Sequence, residues 1–288
     1  MNSRPVDHVV LPTADLAVAR ARLTALGFTV APTGVHPFGT RNACVYLADG
    51  TFLEPLAIGD AELDAKAAAA GNAFVARDRD FRAANGEEGF SALVFGSEDA
   101  KADHEEFVAE GISAGDMLTF SRPVTDASGA TDMATFKLAF AADPLAPDAL
   151  FFTCQRKNAP KVDREALQAH ANGVIAISAI ALSAASPDAY APLLNIVTGA
   201  GEVLPGAVDR VETGNAVLLA MGSDEFEAAF GVAPSDEGLR LSAIVFRVAD
   251  LSALRALLDR NAIASEMRGA RLVVPPAPGQ GAIFAFEE

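Results

Sequence analysis

The pattern of apolar and polar positions near the start of the chain predicts a strand, a helix and three further strands. An apolar run at 8–11 leads to Asp15, and leucine and alanine then recur at the spacing of a buried helix face until Gly27. Three strand-like apolar runs follow, at 28–30, 43–48 and 51–58. The unit is therefore strand, helix and three strands, written βαβββ.

The same βαβββ pattern recurs three more times along the chain. The later copies begin near residues 90, 174 and 241, and the third has strands predicted at 209–212 and 216–221 with an indistinct end. Each helix starts at an acidic residue that can cap its N-terminus, namely Asp15, Asp99, Asp188 and Asp250. Four copies of one supersecondary unit predict an α+β fold built from repeats.

Two segments lie between the copies. Residues 60–85 are rich in alanine and predict a helical linker between the first two copies. Residues 157–172 are polar and contain a proline, which is typical of a boundary between domains. We therefore predict two domains, at residues 1–158 and 170–288, with two βαβββ copies in each.

Composition and charge exclude several classes of function. Among 288 residues, 38 acidic against 22 basic side chains give a formal net charge of −16, which opposes binding to nucleic acid or to an anionic membrane. No apolar run suits a membrane span or a signal peptide, so we expect a cytoplasmic protein. Cys44 and Cys154 fit no zinc or disulfide spacing and are expected to be buried and reduced. The sequence contains neither a P-loop nor a GxSxG nucleophile motif.

Short motifs of the first unit resemble one superfamily. Asp7-His8-Val9-Val10, Leu26-Gly27-Phe28 and Thr51-Phe52-Leu53-Glu54 are similar to the first module of the vicinal oxygen chelate superfamily, which includes glyoxalase I, extradiol dioxygenases and bleomycin-resistance proteins. His36-Pro37-Phe38-Gly39-Thr40-Arg41-Asn42 resembles a segment of its glyoxalase-like subfamily. The close resemblance covers about the first 155 residues. It implies two curved, mixed, open-barrel sheets, each built from two modules, with helices outside and a ligand or metal in the concave cup.

The resemblance also implies a metal site in the first cup. Superfamily members that use a metal take one ligand from the first strand and one from the last strand of each module, which here match His8 and Glu54. His36 would have to supply a third ligand, and the ion would be Zn, Ni, Mn or Fe. The second module departs from this pattern, because its corresponding positions fall at Ser91 or Ala92 and at Thr153 or Cys154.

Strand alternation independently suggests that the carboxylate of Glu54 is buried. It shares a strand face with Phe52, Leu56 and Ile58, while His8 shares one with Val6 and Val10. A carboxylate on an apolar face needs a compensating metal, arginine or ligand cation. Alternatively, Glu54 lies in water at a sheet edge or pairs with Arg41.

Further candidates concern substrate binding and catalysis. Thr40, Arg41, Asn42 and Gln155 present polar groups suited to the oxygens of a small ligand, unless the 36–42 segment is only a turn set by its proline and glycine. The candidate catalytic residues are His8, His36 and Glu54. Without a metal, either histidine would serve as general base, because histidine titrates near neutral pH.

These expectations favour a metal-assisted lyase, isomerase or dioxygenase acting on a small oxygen-rich metabolite in the first cup. The alternative is a non-catalytic binding protein of the bleomycin-resistance type, whose cup sequesters an aromatic or cationic molecule. The second half has alanines at the positions of His8 and no inward acid in its last strand. It is expected to be a degenerate domain that serves packing, homodimerisation or an apolar ligand.

Overall fold

A computed structural model describes residues 3–125, 131–158, 164–200, 210–234 and 238–288. The first half contains, in chain order, β1 (Val6–Pro12), α1 (Leu16–Ala25), β2 (Gly34–Val35), β3 (Thr40–Asn42), β4 (Val45–Tyr46), β5 (Phe52–Ile58), α2 (Ala61–Ala69), α3 (Ala73–Asn85), β6 (Ala92–Gly96), α4 (Ala100–Ala109), β7 (Leu118–Thr125), β8 (Thr131–Ala141) and β9 (Leu150–Lys157). The second half contains α5 (Glu165–Gln168), β10 (Val174–Ser183), a 3₁₀ turn (Pro187–Tyr190), α6 (Ala191–Thr198), β11 (Val211–Glu212), β12 (Val217–Met221), α7 (Ser223–Phe230), β13 (Arg240–Val248), α8 (Leu251–Arg260), β14 (Glu266–Arg268), β15 (Arg271–Val274) and β16 (Ile283–Glu287).

The strands form two mixed sheets with the same central arrangement. The first sheet has the order β2-β3-β5-β1-β6-β9-β8-β7, with β4 also paired to β5, and the second has the order β11-β12-β10-β13-β16-β15-β14. In each sheet the first strands of two modules pair antiparallel at the centre, and each pairs parallel with the last strand of its own module. The predicted α+β fold of paired βαβββ modules is confirmed.

The two sheets share one hydrophobic core. Leu23 of α1, Phe107 of α4, Leu193 of α6 and Leu254 of α8 are buried together with strand residues of both sheets. These helices therefore lie outside the cups, as predicted. Among the described residues, no helix has the length and apolar character needed to cross a membrane.

The predicted linker at 60–85 forms α2 and α3, which also cover the first cup. Phe74 and Val75 of α3 pack with the cup-facing residues Leu56 and Phe152. The Asp60 carboxylate caps α2 by accepting a hydrogen bond from the backbone N–H of Leu63. The cup is therefore closed by a helix pair that belongs to neither module.

The second cup is filled by a helix that the sequence pattern did not predict. Phe226 and Phe230 of α7 are fully buried and pack on Ala243, Val245 and Ala285 of the sheet. This helix follows β12, which pairs parallel with β10 as β5 pairs with β1, so α7 has the same place in the chain order as α2 and α3 in the first half. The chain itself occupies the concave face, which supports the expectation that this domain serves packing.

Three local predictions differ from the structure or exceed what it describes. Residues 28–30 do not form a strand, because the guanidinium of Arg20 binds the carbonyls of Val30 and Ala31 in place of a neighbouring strand. The short strand β2 takes that place in the sheet order. Residue 209 of the strand predicted at 209–212, and residues 159–163 of the predicted boundary, lie outside the described residues.

Candidate functional site

The concave face of the first sheet lines a cavity beneath α3. Its mouth lies between the two ends of the sheet, since residues beside β2 and residues of β7 both line it. Half a dozen phenylalanines form its apolar wall, namely Phe38, Phe52, Phe74, Phe120, Phe136 and Phe152. The polar side chains that line it are His8, His36, Asn42, Glu54, Arg122 and Arg156.

His8 is held between two carboxylates. Its Nδ1 lies 2.5 Å from an oxygen of Asp7, its Nε2 lies 3.4 Å from Oε2 of Glu54, and its ring stacks on Phe52 with the ring centres 4.3 Å apart. Burial opposes the charged form, but the hydrogen bonds to Asp7 and Glu54 prevail and raise the pKa of His8. The guanidinium of Arg156 binds the same Asp7 carboxylate. His8 is therefore poised as an oriented imidazolium.

A bulge in β1 creates this arrangement. The register of β1 against β6 shifts between Val6 and His8, so Val6 turns to the core between the sheets while His8 and Val10 face the cup. The prediction that His8 shares its face with Val10 is confirmed. The same prediction is wrong for Val6, because strict alternation does not survive the extra residue.

Glu54 is the central acceptor of the site. It is 5% exposed and shares its face with Phe52 and Leu56, as alternation predicts. Its Oε1 accepts a hydrogen bond of 2.6 Å from the Asn42 amide. Burial alone would raise the pKa of Glu54, but the hydrogen bond with His8 and the nearby histidine charges lower it to about 2. The carboxylate is thus ionised without being paired to Arg41.

His36 faces the same carboxylate from the opposite side. Its Nε2 lies 3.6 Å from Oε1 of Glu54, and its Nδ1 lies 2.8 Å from the Thr40 hydroxyl. The Asn42 amide nitrogen lies 3.5 Å from Nε2, which suits a neutral ring with its proton on Nδ1 and its Nε2 lone pair accepting from Asn42. Burial lowers the pKa of His36 to about 4, and the positive charges of Arg122 and His8 act in the same direction.

The turn that presents His36 needs its glycine. Gly39 has a φ of 98°, and a side chain there would meet the backbone of α2 at Asp64, with an added Cβ 2.5 Å from its nitrogen. The 36–42 segment is therefore a tight hairpin between β2 and β3 that is packed beneath α2.

Comparison with known proteins places this site within a family. Residues 6–198 match the glyoxalase-like domain family. The chain belongs to this family. The predicted membership of the vicinal oxygen chelate superfamily is thereby confirmed, and the match covers the whole first sheet together with β10 and α6.

Solved structures with the same glyoxalase-like fold extend over both sheets. A hypothetical protein from Staphylococcus aureus is 13% identical, with a TM-score of 0.62 and 98% of each chain covered. A triple mutant of 4-hydroxymandelate synthase from Streptomyces coelicolor is 12% identical, with a TM-score of 0.59, covering 99% of this chain and 92% of the other. Curated proteins yielded no significant match. At these identities the likeness shows the fold alone.

The strand register identifies the residues of the second module that are equivalent to His8 and Glu54. The pairing of β6 with β9 repeats that of β1 with β5, and it puts Phe152 at the position equivalent to Glu54 and Ala92 at the first-strand position. The prediction of Thr153 or Cys154 was therefore wrong. Thr153 points away from the cup, and Cys154 faces it one strand repeat further on.

The donor set of the glyoxalase-like cup does not fit a resident metal ion. His8 and Glu54 lie together as predicted, and His36, the predicted third ligand, lies 3.6 Å from the same carboxylate, but the corresponding pair of the second module is apolar. The Asn42 amide already occupies Oε1 of Glu54. Within the described ranges, no group of three or more His, Cys, Asp or Glu side chains is arranged to hold a metal ion.

The predicted substrate-binding residues divide into two pairs. Asn42 lines the cavity and Thr40 supports His36 from behind. Arg41 points to the opposite side of its strand and packs on Gly59, where an added Cβ would meet its Nε at 2.3 Å. Gln155 donates its amide to the Glu98 carbonyl and does not line the cavity. Alternation on β3 and β9 turns the second pair away from the cup.

The sequence pattern did not predict that two arginines and an aspartate belong to the site. Asp7 and Arg156 form the ion pair behind His8, and Arg122 enters the cavity from β7. The available signal was a period of two along β9, where Phe152, Cys154 and Arg156 all line the cup. Burial raises the pKa of the Cys154 thiol to about 12, so it is an inert lining group.

The buried His36 should make the fold less stable as the pH falls from 6.5 toward 4, by about 3 kcal/mol in total. The folded-state pKa lies below the unfolded value, so the unfolded chain takes up a proton in this window and the folded chain does not. Stability is complete above the unfolded pKa and is lost on acidification. Below about pH 5.5, His8 is protonated in both the folded and the unfolded chain and adds no slope. Glu54, whose folded pKa is lowered to about 2, adds a loss of stability in the same direction toward pH 4, and the His36→Gln comparison separates the two.

Urea unfolding across this pH window measures the effect. The His36→Gln variant should lose that part of the pH dependence, whereas His104→Gln, a matched change outside the cup, should keep it. An unchanged slope in His36→Gln would contradict the assignment.

Proposed function

We propose that the first cup is the active site of a glyoxalase-like lyase or isomerase that moves a proton on a small oxygen-rich molecule, using the chain's own side chains. The observation that carries this proposal is the pair of histidines facing one carboxylate, with their pKa values displaced in opposite directions. Two titratable groups whose environments separate their pKa values are suited to act as acid and base.

The acid in this proposal is His8. Asp7 accepts the hydrogen of Nδ1 and stabilises the imidazolium, so Nε2 is left to donate to a carbonyl oxygen of the substrate. The same contact stabilises negative charge as it develops on that oxygen. Glu54 lies 3.4 Å from Nε2 as an ion-pair partner, and a substrate oxygen would compete with it for the Nε2 hydrogen.

The base is His36. Its ring is neutral at neutral pH, and Thr40 fixes it by accepting the hydrogen of Nδ1. A substrate would displace the long contact of 3.5 Å between Asn42 and Nε2 and so gain access to the lone pair. The proton on the carbon next to the carbonyl passes to Nε2, the C–H electron pair forms a carbon–carbon double bond, and the carbonyl electrons move to the oxygen held by His8. When that carbon carries a hydroxyl, His8 protonates the first oxygen to give an enediol. The second hydroxyl then returns a proton to His8 and becomes the new carbonyl while His36 returns its proton to the former carbonyl carbon, which completes an isomerisation. When the next carbon carries a leaving group, departure of that group as the double bond shifts completes an elimination.

The experiment is deuterium incorporation next to the carbonyl of small 2-oxo acids in D₂O, with pyruvate as the simplest probe, followed by proton NMR. Wild type should accelerate exchange, and both His8→Gln and His36→Gln should lose this acceleration. His104→Gln is the matched control, since its side chain lies on α4 outside the cavity. Exchange that persists in both cup variants would contradict the proposal.

The sequestration alternative has its own distinct outcome. It would be indicated by tight binding of a small molecule in the cup together with no exchange on any probe. The cup should bind a cation weakly, because the three positive groups there, two guanidiniums and an imidazolium, outnumber the two carboxylates. The aromatic wall suits a flat ligand in either case.

Metal analysis tests the metal-assisted form of the function. We expect no stoichiometric ion in purified protein after Mn²⁺, Fe²⁺, Ni²⁺ or Zn²⁺ is offered, because the second module contributes no ligand. Elemental analysis of wild type, His8→Ala and Glu54→Ala measures the number of metal ions bound per chain. One equivalent of metal in wild type that disappears in both variants would establish the metal-assisted form instead.

A further inference from the structure

We propose that Arg122 is the anion-recognition group of the first cup, and that the ligand is a small monoanion with a carboxylate on a flat apolar body. This rests on the proposed function only in taking the cup as the place where a small molecule reacts. It goes further by naming the ligand class and the residue that selects it.

The first reason is that the Arg122 guanidinium has unused hydrogen-bonding capacity. It lines the cavity, and its Nε is buried with no hydrogen-bond partner. Among the side chains that the structure describes, no carboxylate lies within salt-bridge distance of it, whereas Arg156 is bound by Asp7. A guanidinium in a concave site with an unpartnered Nε and no carboxylate beside it is suited to a carboxylate, whose two oxygens match its fork.

The second reason is that the backbone leaves room for this guanidinium beside the reacting groups. An added Cβ on Gly34 would lie 2.9 Å from Nη1 of Arg122 and 2.3 Å from Oδ1 of Asn42. Arg122 therefore reaches from β7 across the mouth to β2, next to the Asn42 amide that binds Glu54. An anion held there would have its neighbouring carbon close to His8 and His36.

The third reason is the balance of charge. Two guanidiniums line the cup, and the carboxylate of Asp7 forms a salt bridge with Arg156 and not with Arg122. A monoanion would neutralise the charge of Arg122, whereas a cation would be repelled by it. The formal net charge of −16 on the whole chain therefore does not describe the cup.

The fourth reason is the shape of the apolar wall around Arg122. Its guanidinium carbon lies 5.5 Å from the centre of the Phe136 ring, which stacks in turn on Phe120 with the ring centres 5.1 Å apart. Phe38 meets Phe120 edge to face at 5.2 Å. Such a wall holds the guanidinium flat and accepts a planar ligand body.

Three aromatic probes of similar size and different charge test this inference: benzoate, benzamide and benzylamine, titrated into the full chain by calorimetry or NMR. Wild type should bind benzoate at least about tenfold more tightly than benzamide, because hydrogen bonds to a charged partner are worth more than neutral ones. Benzylamine should bind most weakly. Equal binding of the three, a preference for benzylamine, or no benzoate binding at millimolar concentration would overturn the inference.

Variants assign the preference to Arg122. Arg122→Gln should abolish the benzoate preference, Arg122→Lys should keep part of it, and Arg77→Gln outside the first cup should not change it. Gly34→Ala should weaken benzoate binding with every charge in place, because Arg122 and Asn42 must move. Thermal melts verify that each variant folds. A benzoate preference that survives in Arg122→Gln would overturn the assignment.

One further variant separates this inference from the proposed function. His8→Gln should lose deuterium exchange and still prefer benzoate over benzamide. Loss of the preference in Arg122→Gln, with exchange absent in wild type, would support anion recognition and contradict proton transfer.

Discussion

Replacing Arg82 with methionine should lower the free energy of unfolding by about 3–5 kcal/mol, the usual cost of breaking a buried ion pair from one side. Arg82 is 7% exposed, and its Nε donates to Asp78 at 2.8 Å. Its other nitrogens donate to the backbone carbonyls of Leu56, Thr13 and Glu87. The change would leave a buried carboxylate and several carbonyls without their partner.

The same substitution should loosen the first cup, because Arg82 ties α3 to the ends of β1 and β5 and α3 carries Phe74 over the cavity. Urea unfolding of Arg82→Met against wild type measures the loss. The double variant Arg82→Met with Asp78→Leu should recover part of it, since the orphaned charge is gone. Lys101→Met removes an exposed pair and should change little. Equal effects of Arg82→Met and Lys101→Met would contradict the role of Arg82.

Replacing Phe226 with alanine should destabilise the chain by about 3–5 kcal/mol, as expected for a large aromatic side chain lost from a packed core. Phe226 is 1% exposed, and its ring centre lies 4.7 Å from that of Phe230. The two rings fill the concave face of the second sheet. Removal of one leaves a void that the rigid strands beneath it cannot close.

Denaturant unfolding measures this effect, with Glu227→Ala on the exposed side of α7 as control. The Phe226→Ala cavity should also bind a small apolar molecule such as benzene, which would then restore part of the lost stability. If Phe226→Ala and Glu227→Ala were equally stable, the packing of α7 in the second cup would not contribute to stability as proposed.

Interactions between residues that are near in sequence explain why the fold could be predicted from the sequence. Three of the four aspartates predicted to start helices accept capping hydrogen bonds from the backbone, at Asp15, Asp99 and Asp250. The fourth, Asp188, lies in a 3₁₀ turn whose N-terminus has no side-chain cap. Caps, periodicity and glycine stops act within a few residues, so the repeat could be recognised before any tertiary contact was known.

The central part of the site was also encoded locally. Glu54 and Asn42 face the cup because strand alternation fixes which side chains share a face, and His36 is placed by a hairpin with a required glycine. Strand alternation could not predict the bulge that turns Val6 away from the face of His8, because a bulge depends on pairing with a second strand.

The sequence by itself determined the repeated strand and helix units and the meeting of His8 with Glu54. Only the tertiary structure decided what surrounds that pair: Asp7 with Arg156, the free guanidinium of Arg122, and the helices that close one cup and fill the other. The physical reason is distance along the chain. Capping and alternation act between near neighbours, whereas Asp7 and Arg156 become partners only when β1 and β9 curve toward each other in one sheet.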